Sequence, residues 1–246
     1  MVFGADTDIS PYDSGSYASS TAYLTGTAVV KTCEALKEKI LHKAAKYLET
    51  GAEELEFDGK QVYKLACEAD GTRKEITIKD LANRVQCANE DALQVTQSHS
   101  SPISPPPFMA GAAEVEVDLE TGQVELIKFA AAVDCGTPLN ENLARVQTEG
   151  GLVQGIGMAL YEDVSYSKDG KVHENSFMQY KVPSRLDVGR VQVEFESSFE
   201  PTGPFGAKSI GEVVINTPSP AIANAVYNAV GVRIRELPIT AEKVFK

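Results

Sequence analysis

The chain has 246 residues, 43% hydrophobic and 24% charged, enough for one large domain or two small ones with a substantial core. Its 35 acidic against 23 basic residues give a formal net charge of −12, and no basic run offers a phosphate footprint, which argues against a nucleic-acid partner. No apolar run approaches the roughly 18 residues of a membrane span and no signal-peptide pattern opens the chain, so no membrane is expected and a cytoplasmic location is the default.

Cys33, Cys67, Cys87 and Cys135 are widely spaced without a Cys-x-x-Cys pair, which argues against a disulfide framework or a zinc site. His42, His99 and His173 are equally scattered, so no metal cluster or iron–sulfur site is expected from side chains, and a metal working here would be brought by something other than the protein. Neither a P-loop nor a GxGxxG string is present.

Residues 1–26, MVFGADTDISPYDSGSYASSTAYLTG, are dense in Ser, Thr, Asp, Gly and Tyr. The stretch reads either as a polar, partly disordered leader or as a loop for a polar ligand. For the second reading, Asp6 and Thr7 offer acceptors and a hydroxyl, Gly15 permits a tight turn, and Ser19-Ser20 stands just before a helix, whose first N–H groups point outward. The spacing of Ala28, Val29, Cys33, Leu36, Ile40, Ala44 and Leu48 predicts an amphipathic helix over 25–48, closed by Gly51. That face is core, with no chemistry assigned to Cys33 or His42.

Residues 52–99 read as a small α+β section: strands near 54–57, 62–66 and 75–78, an Asp58-Gly59 turn, and a helix over about 80–85. Ser98 to Pro107, SHSSPISPPP, is a connector rather than a polyproline ligand. The strict alternation of 112–118 predicts one strand and 123–133 the returning strand of a hairpin, leading to the Asp134-Cys135-Gly136 turn. The row of edge acids there keeps a sheet from mispairing and is not a metal site.

Asn140 then caps a helix, NENLARVQTEGGLVQGIGMALY, whose apolar spacing is interrupted by Gly150, Gly151, Gly155 and Gly157. Each glycine costs roughly 1 kcal/mol against alanine. Close packing against a neighbouring helix is one reason for them. Close approach of a flat ligand, with Gln147 and Gln154 supplying amides, is the other. Between 162 and 200, turns alternate with strands such as 191–199.

Residues 203–229, GPFGAKSIGEVVINTPSPAIANAVYNA, set a glycine-punctuated turn ahead of a helix. Ser219 is its expected N-cap, Pro220 its first residue and Gly231 its end; Ala221, Ile222, Ala225, Val226 and Ala229 form its apolar face. Gly203, Gly206 and Gly211 bracket Lys208, Ser209 and Glu212, and glycines at that density let another molecule approach the backbone. Glu212 reads either as a solvated loop acid or as a general base held on a rigid turn.

Three of these segments together resemble one family. GPFGAKSIGE followed by PAIANAVYNAVGVRIRELPIT is similar to the C-terminus of the molybdenum hydroxylase large subunit, the xanthine dehydrogenase and aldehyde oxidase family. Residues 4–20 resemble its GDTD-x-x-PY-x-x-G-x-YGSR segment, and the string from Asp134 through Tyr161 resembles its pterin-binding segment, with DCG, EGG and QG-x-G in place. The chain departs where Ser20 stands for an arginine, which weakens a phosphate contact, and where Val213-Val214 replaces a Pro-Pro pair. The resemblance spans the chain but only the C-terminal part of the family's subunit, as in a split large subunit or an excised domain.

What the resemblance implies is an oxidative hydroxylation of an N-heterocycle of purine type or an aldehyde. Glu212 would be the base beside molybdenum. A base in that role is expected to be buried, which raises the pKa of a carboxylic acid. The implied cofactor is molybdopterin with molybdenum, in the cytosine dinucleotide form. The cofactor-binding positions would be Asp6, Thr7, Ala18, Ser19, Ser20, Gln147, Gly150, Lys208, Ser209 and Gly211, with Ala18 beside the metal and Gln147 on the pterin ring. Iron–sulfur clusters and FAD would lie on partner chains: a companion molybdenum-subunit half, an iron–sulfur subunit and a flavin subunit. The region 162–200 would shape the approach of a small-molecule substrate. A different class of function is a cofactor-holding or assembly domain with no activity of its own, and a third is a degenerate, purely structural paralogue. The expected fold is α+β, with antiparallel hairpins and helices packed on one side in two-layer sub-domains. The expected limits are an N-terminal sub-domain at 1–100, a Pro/Ser-rich connector at 101–110 and a C-terminal sub-domain at 111–246.

Overall fold

The computed structural model describes residues 6–8, 10–13 and 15–245. Gly4, Ala5, Ile9 and Ser14 of the N-terminal motif lie outside the described residues. The chain forms two units, Met1–Tyr12 with Leu24–Ser100, and Asp13–Tyr23 with Ser101–Lys246.

In the first unit, α1 (Thr21–Leu48) enters from Leu24 onward. It starts one turn earlier than the residue spacing predicts, because Thr21–Leu24 contains no helix breaker and Gly26 is carried inside. Ile40, Ala44 and Leu48 bury their side chains as expected, whereas Cys33 on the same stripe is exposed. Three short strands follow, β1 (Leu55–Phe57), β2 (Gln61–Lys64) and β3 (Glu75–Thr77), all antiparallel in the order β1-β2-β3. The Asp58-Gly59 turn forms as expected, with Asp58 Oδ1 accepting the Lys60 and Gln61 N–H groups. Thr77 caps α2 (Ile78–Cys87) by accepting the Asp80 N–H. Leu55, Val62, Ile76, Leu81 and Val85 close over the α1 stripe as one core.

The second unit is built on a long hairpin, β4 (Phe108–Val117) and β5 (Val124–Asp134), with a bulge between Glu114 and Val115. Helix α3 (Glu141–Leu160) begins as expected at Asn140, whose side chain accepts the Leu143 N–H at 3.1 Å. After an irregular stretch, β6 (Arg190–Phe195) joins the sheet parallel to β5, pairing Lys128 with Arg190 through Val133 with Phe195. The sheet is therefore mixed within the expected α+β class: a helical crossover separates β5 from β6, so β6 can return in the same direction.

Beyond the Gly-rich turn come α4 (Val213–Asn216), α5 (Pro218–Val230) and α6 (Ala241–Val244). Helix α5 starts at Pro218 with Thr217 before it. Ser219 is thus inside the helix, donating to the Gly155 carbonyl at 3.4 Å rather than capping. Gly231 ends α5 at φ +74°, the left-handed stop that glycine permits. Ile222 and Val226 are fully buried while Ala229 is exposed. They join Phe129, Val133, Leu152, Ile156 and Val193 in the core between sheet and helices.

Asp13–Tyr23 belongs to this unit. The Tyr23 hydroxyl donates to Thr202 Oγ1 at 2.8 Å and that of Ser19 reaches Glu212. Among the described residues no helix is long and apolar enough to cross a membrane, and all four cysteines are free.

Candidate functional site

Two turns far apart in sequence are stitched together by their backbones. Gly136 pairs with Ala207 in an antiparallel bridge, the Thr137 N–H donates to the Gly206 carbonyl at 2.7 Å, and the Lys208 N–H donates to the Cys135 carbonyl at 2.8 Å. Gly136 has φ +71°, and a Cβ there would run into the Gly206 carbonyl and come within 2.9 Å of Lys208 N. Only glycine fits.

An ion pair locks the same junction. Lys208 Nζ lies 2.7 Å from Asp134 Oδ2, with the two side chains only 8% and 19% exposed. Ser198 and the Gly136 N–H donate to Asp134 Oδ1 at 2.5 and 2.9 Å, and the Lys208 ammonium lies over the Phe108 ring. Burial alone would raise the Asp134 carboxyl, but the Lys208 ammonium, the Ser198 hydroxyl and the Gly136 N–H together hold it below its ordinary value. Lys208 and Ser209 are buried, so their expected place at a cofactor is set against an ammonium already committed to Asp134. Sequence reasoning assigns no role to Asp134 or Ser198. The acid of the DCG turn and the lysine of the AKS turn are the available signal, since a buried lysine requires a counter-charge.

This junction presents the turn that carries Glu212. Glu212 precedes α4 and is exposed, so the described residues do not supply the burial expected of it. The Ser19 hydroxyl donates to Glu212 Oε2 at 3.2 Å. A Cβ on Gly211 would sit 2.8 Å from Ser19 Oγ and 3.8 Å from Gln147 Nε2, so Ser19, Gln147, Gly211 and Glu212 are neighbours. Ala18 is exposed beside them in sequence, and Ser20 spends its hydroxyl on the Tyr17 carbonyl at 2.8 Å. Asp6 and Thr7 belong to the first unit, where Asp6 Oδ1 accepts the Asp8 N–H at 3.0 Å and the Asp6 carbonyl accepts the Ser10 N–H at 2.7 Å.

The glycines of α3 separate into two groups. A Cβ on Gly151 would run into Val214 Cγ2, one on Gly155 would lie 2.7 Å from Pro218 Cγ, and one on Gly157 would run into the Glu162 carboxylate. Those three are explained by packing. Gly150 is different: it is exposed and its Cβ would meet nothing within 4 Å. Gln147, Gly150 and Gln154 are spaced to share one helix face, and all three are exposed. A flat ligand with hydrogen-bonding edges fits such a face, with amides at both ends and no side chain between. Among the described residues no group of His, Cys, Asp or Glu could hold a metal ion.

The family described as molybdopterin cofactor-binding domain matches residues 1–189. The chain belongs to the molybdopterin-binding subunit family of the molybdenum hydroxylases. The match covers Ser19 and α3 but ends before Glu212, which is reached by whole-chain relatives. One is the probable hypoxanthine oxidase XdhD of Escherichia coli (strain K12), 34% identical over 245 residues, 99% of this chain and 25% of that protein. Another is the putative xanthine dehydrogenase molybdenum-binding subunit XdhA of the same organism, 31% identical over 244 residues, 98% of this chain and 32% of that protein. Among solved structures, the Cu,Mo-CO dehydrogenase in its carbon monoxide reduced state superposes with a TM-score of 0.81 at 27% identity, covering 97% of this chain and 30% of that one. This molybdopterin-binding chain thus spans between a quarter and a third of the length of these relatives.

Proposed function

We propose that this chain is the C-terminal, cofactor-binding part of a molybdenum hydroxylase that hydroxylates an N-heterocycle of purine type or an aldehyde, with Glu212 as the base. The observation that carries the reading is the juxtaposition of Glu212 and Gln147 across Gly211, next to the bare helix face at Gly150. The relatives named for hypoxanthine and xanthine chemistry support the purine-type substrate.

Gln147 would hold the pterin by its amide, Gly150 would let the ring lie against the helix, and Ala18 and Gly211 would keep side chains out of the way. When bound, molybdopterin with molybdenum, here in the cytosine dinucleotide form, supplies the redox chemistry of the hydroxylation. Glu212 accepts the proton at a carboxylate oxygen, a task that requires hydrogen-bond reach to the group it deprotonates. Lys208, Ser209 and the Asp134 pair hold the turn so that this oxygen does not wander. Asp6, Thr7 and Ser20 would serve the nucleotide end of the cofactor. Electrons would leave through iron–sulfur and flavin subunits, and a companion molybdenum-subunit half would complete the pocket, all in the cytoplasm.

The deciding experiment is Glu212→Gln in the assembled enzyme. Turnover is expected to fall at least about 100-fold, with molybdenum and pterin content unchanged. Turnover at the normal rate rejects Glu212 as the base. A second reading, a cofactor-holding domain inactive on its own, is favoured by the exposure of Glu212 in this chain. Glu212→Gln in the assembled enzyme distinguishes the two: lost turnover with pterin retained supports the base, and unchanged turnover leaves this chain as the holding domain.

A further inference from the structure

Five non-glycine residues among those described have a positive φ: Ala18, Ser19, Glu49, Asn89 and Phe205, the last within the 3-10 turn Pro204–Gly206. Glu49 and Asn89 follow the ends of α1 and α2, where a left-handed residue terminates a helix. Ala18 and Ser19, at φ +52° and +56°, have no such role: they are consecutive and stand in the 3-10 turn before α1. Left-handed backbone disfavours L residues, and two in a row call for something the turn achieves. The result here is the position of one hydroxyl. Ser19 Oγ donates to Glu212 Oε2 at 3.2 Å across 193 residues of sequence. Gly211, the residue before Glu212, leaves the space for it, since a Cβ there would lie 2.8 Å from Ser19 Oγ.

We infer that Ser19 is a positioning residue for Glu212, a left-handed turn aiming its hydroxyl so that one carboxylate oxygen is tied and the other stays free to take a proton. This rests on Glu212 being the base. It also changes the expected part of Ser19 as a cofactor donor. A serine hydroxyl has a single proton, and here that proton goes to Glu212, which leaves Ser19 able only to accept from a ligand. The neighbouring serine is separate, because Ser20 donates to Tyr17.

The test compares Ser19→Ala, Ser19→Gly, Ser20→Ala and Glu212→Gln. Ser19→Gly is the informative variant: glycine tolerates the positive φ, so the turn relaxes while the hydroxyl is lost. In the 246-residue chain without cofactor, the carboxyl-carbon NMR resonance of Glu212, assigned by its disappearance in Glu212→Gln, should move in both Ser19 variants and stay in Ser20→Ala. In the assembled enzyme, both Ser19 variants should lower kcat about 10- to 100-fold with little change in KM, the scale of a misplaced catalytic group. A resonance that does not move, or Ser19→Gly turning over like the parent, overturns the positioning role. Full turnover by Glu212→Gln instead rejects the base itself, so the two failures are told apart.

Discussion

Adjacent glycines in α3 are expected to respond to the same substitution in opposite directions. Gly150→Ala adds a methyl that meets nothing within 4 Å in the interior of a helix spanning Glu141–Leu160. Its effect is then the intrinsic helix preference, a stabilisation of about 1 kcal/mol. Gly151→Ala gains the same preference, but its methyl runs into Val214, which is fully buried between α3 and the rest of the unit. Overpacking of that kind costs about 1–3 kcal/mol, so the net change is between roughly zero and 2 kcal/mol destabilising. The assay is hydrogen exchange of the α3 amides, which reports the opening of the unit that contains them. Function should move against stability at the first site: if the pterin lies on this face, as proposed, the Gly150→Ala chain, although stabler, should retain about 10-fold less pterin, since a methyl would stand where the ring would lie. A destabilised Gly150→Ala chain, or one holding pterin as the parent does, would refute the account of this helix face.

Replacing Lys208 with Met leaves Asp134 a largely buried carboxylate with only Ser198 and Gly136 as donors, and should cost about 2–4 kcal/mol in urea unfolding; a loss below about 0.5 kcal/mol would mean the pair is not structural. Because the folded Asp134 pKa lies below its ordinary 3.8, its contribution is complete above that value and disappears as pH falls through the lower folded one, so Asp134→Asn should flatten the acid limb of stability measured from about pH 5 to about pH 2. A thiol reagent should modify Cys33, Cys67 and Cys87 in the native chain and Cys135 only after unfolding, since burial, reinforced by the Asp134 charge, pushes the Cys135 thiol above 9.0.

Elements that carry their own local signal are legible in the residues alone. Asn140, with helical spacing behind it, marks the start of α3, Gly231 marks the end of α5, and the alternation from Ala112 to Asp118 marks β4. What depends on distant partners is not legible there. The parallel entry of β6 follows from where the crossover returns, which the pattern of residues 191–199 does not encode. Ser219 has the look of a cap because Ser-Pro is a helix-opening pair, but Thr217-Pro218 just ahead of it opens the helix first. Cys33 shares the period of the α1 stripe, yet the partners that bury Ile40, Ala44 and Leu48 come from β1, β2, β3 and α2, and Cys33 stays exposed. At the site, the importance of Gln147 and Glu212 rests on the motifs around them, whereas the use of the Ser19 hydroxyl and the pairing of Lys208 with Asp134 emerge only from the fold.

The state of Glu212 bears directly on what this chain can do alone. Its turn is fixed from behind by a buried ion pair and a backbone bridge, so its position is set by groups that water scarcely reaches. Glu212 itself is exposed, with Ser19 on one carboxylate oxygen. Charges in water interact weakly, whereas the same charges in a water-excluded site act far more strongly. If Glu212 is the base, as proposed, the chain provides its aim but not its dry surroundings, which would come from a cofactor on the Gly150 face and from whatever closes over it. On this account the isolated chain binds pterin and turns over nothing, and activity appears only when Glu212 is covered. Restoring activity by adding the companion half, with no change at Lys208 or Asp134, is the result this division of labour requires.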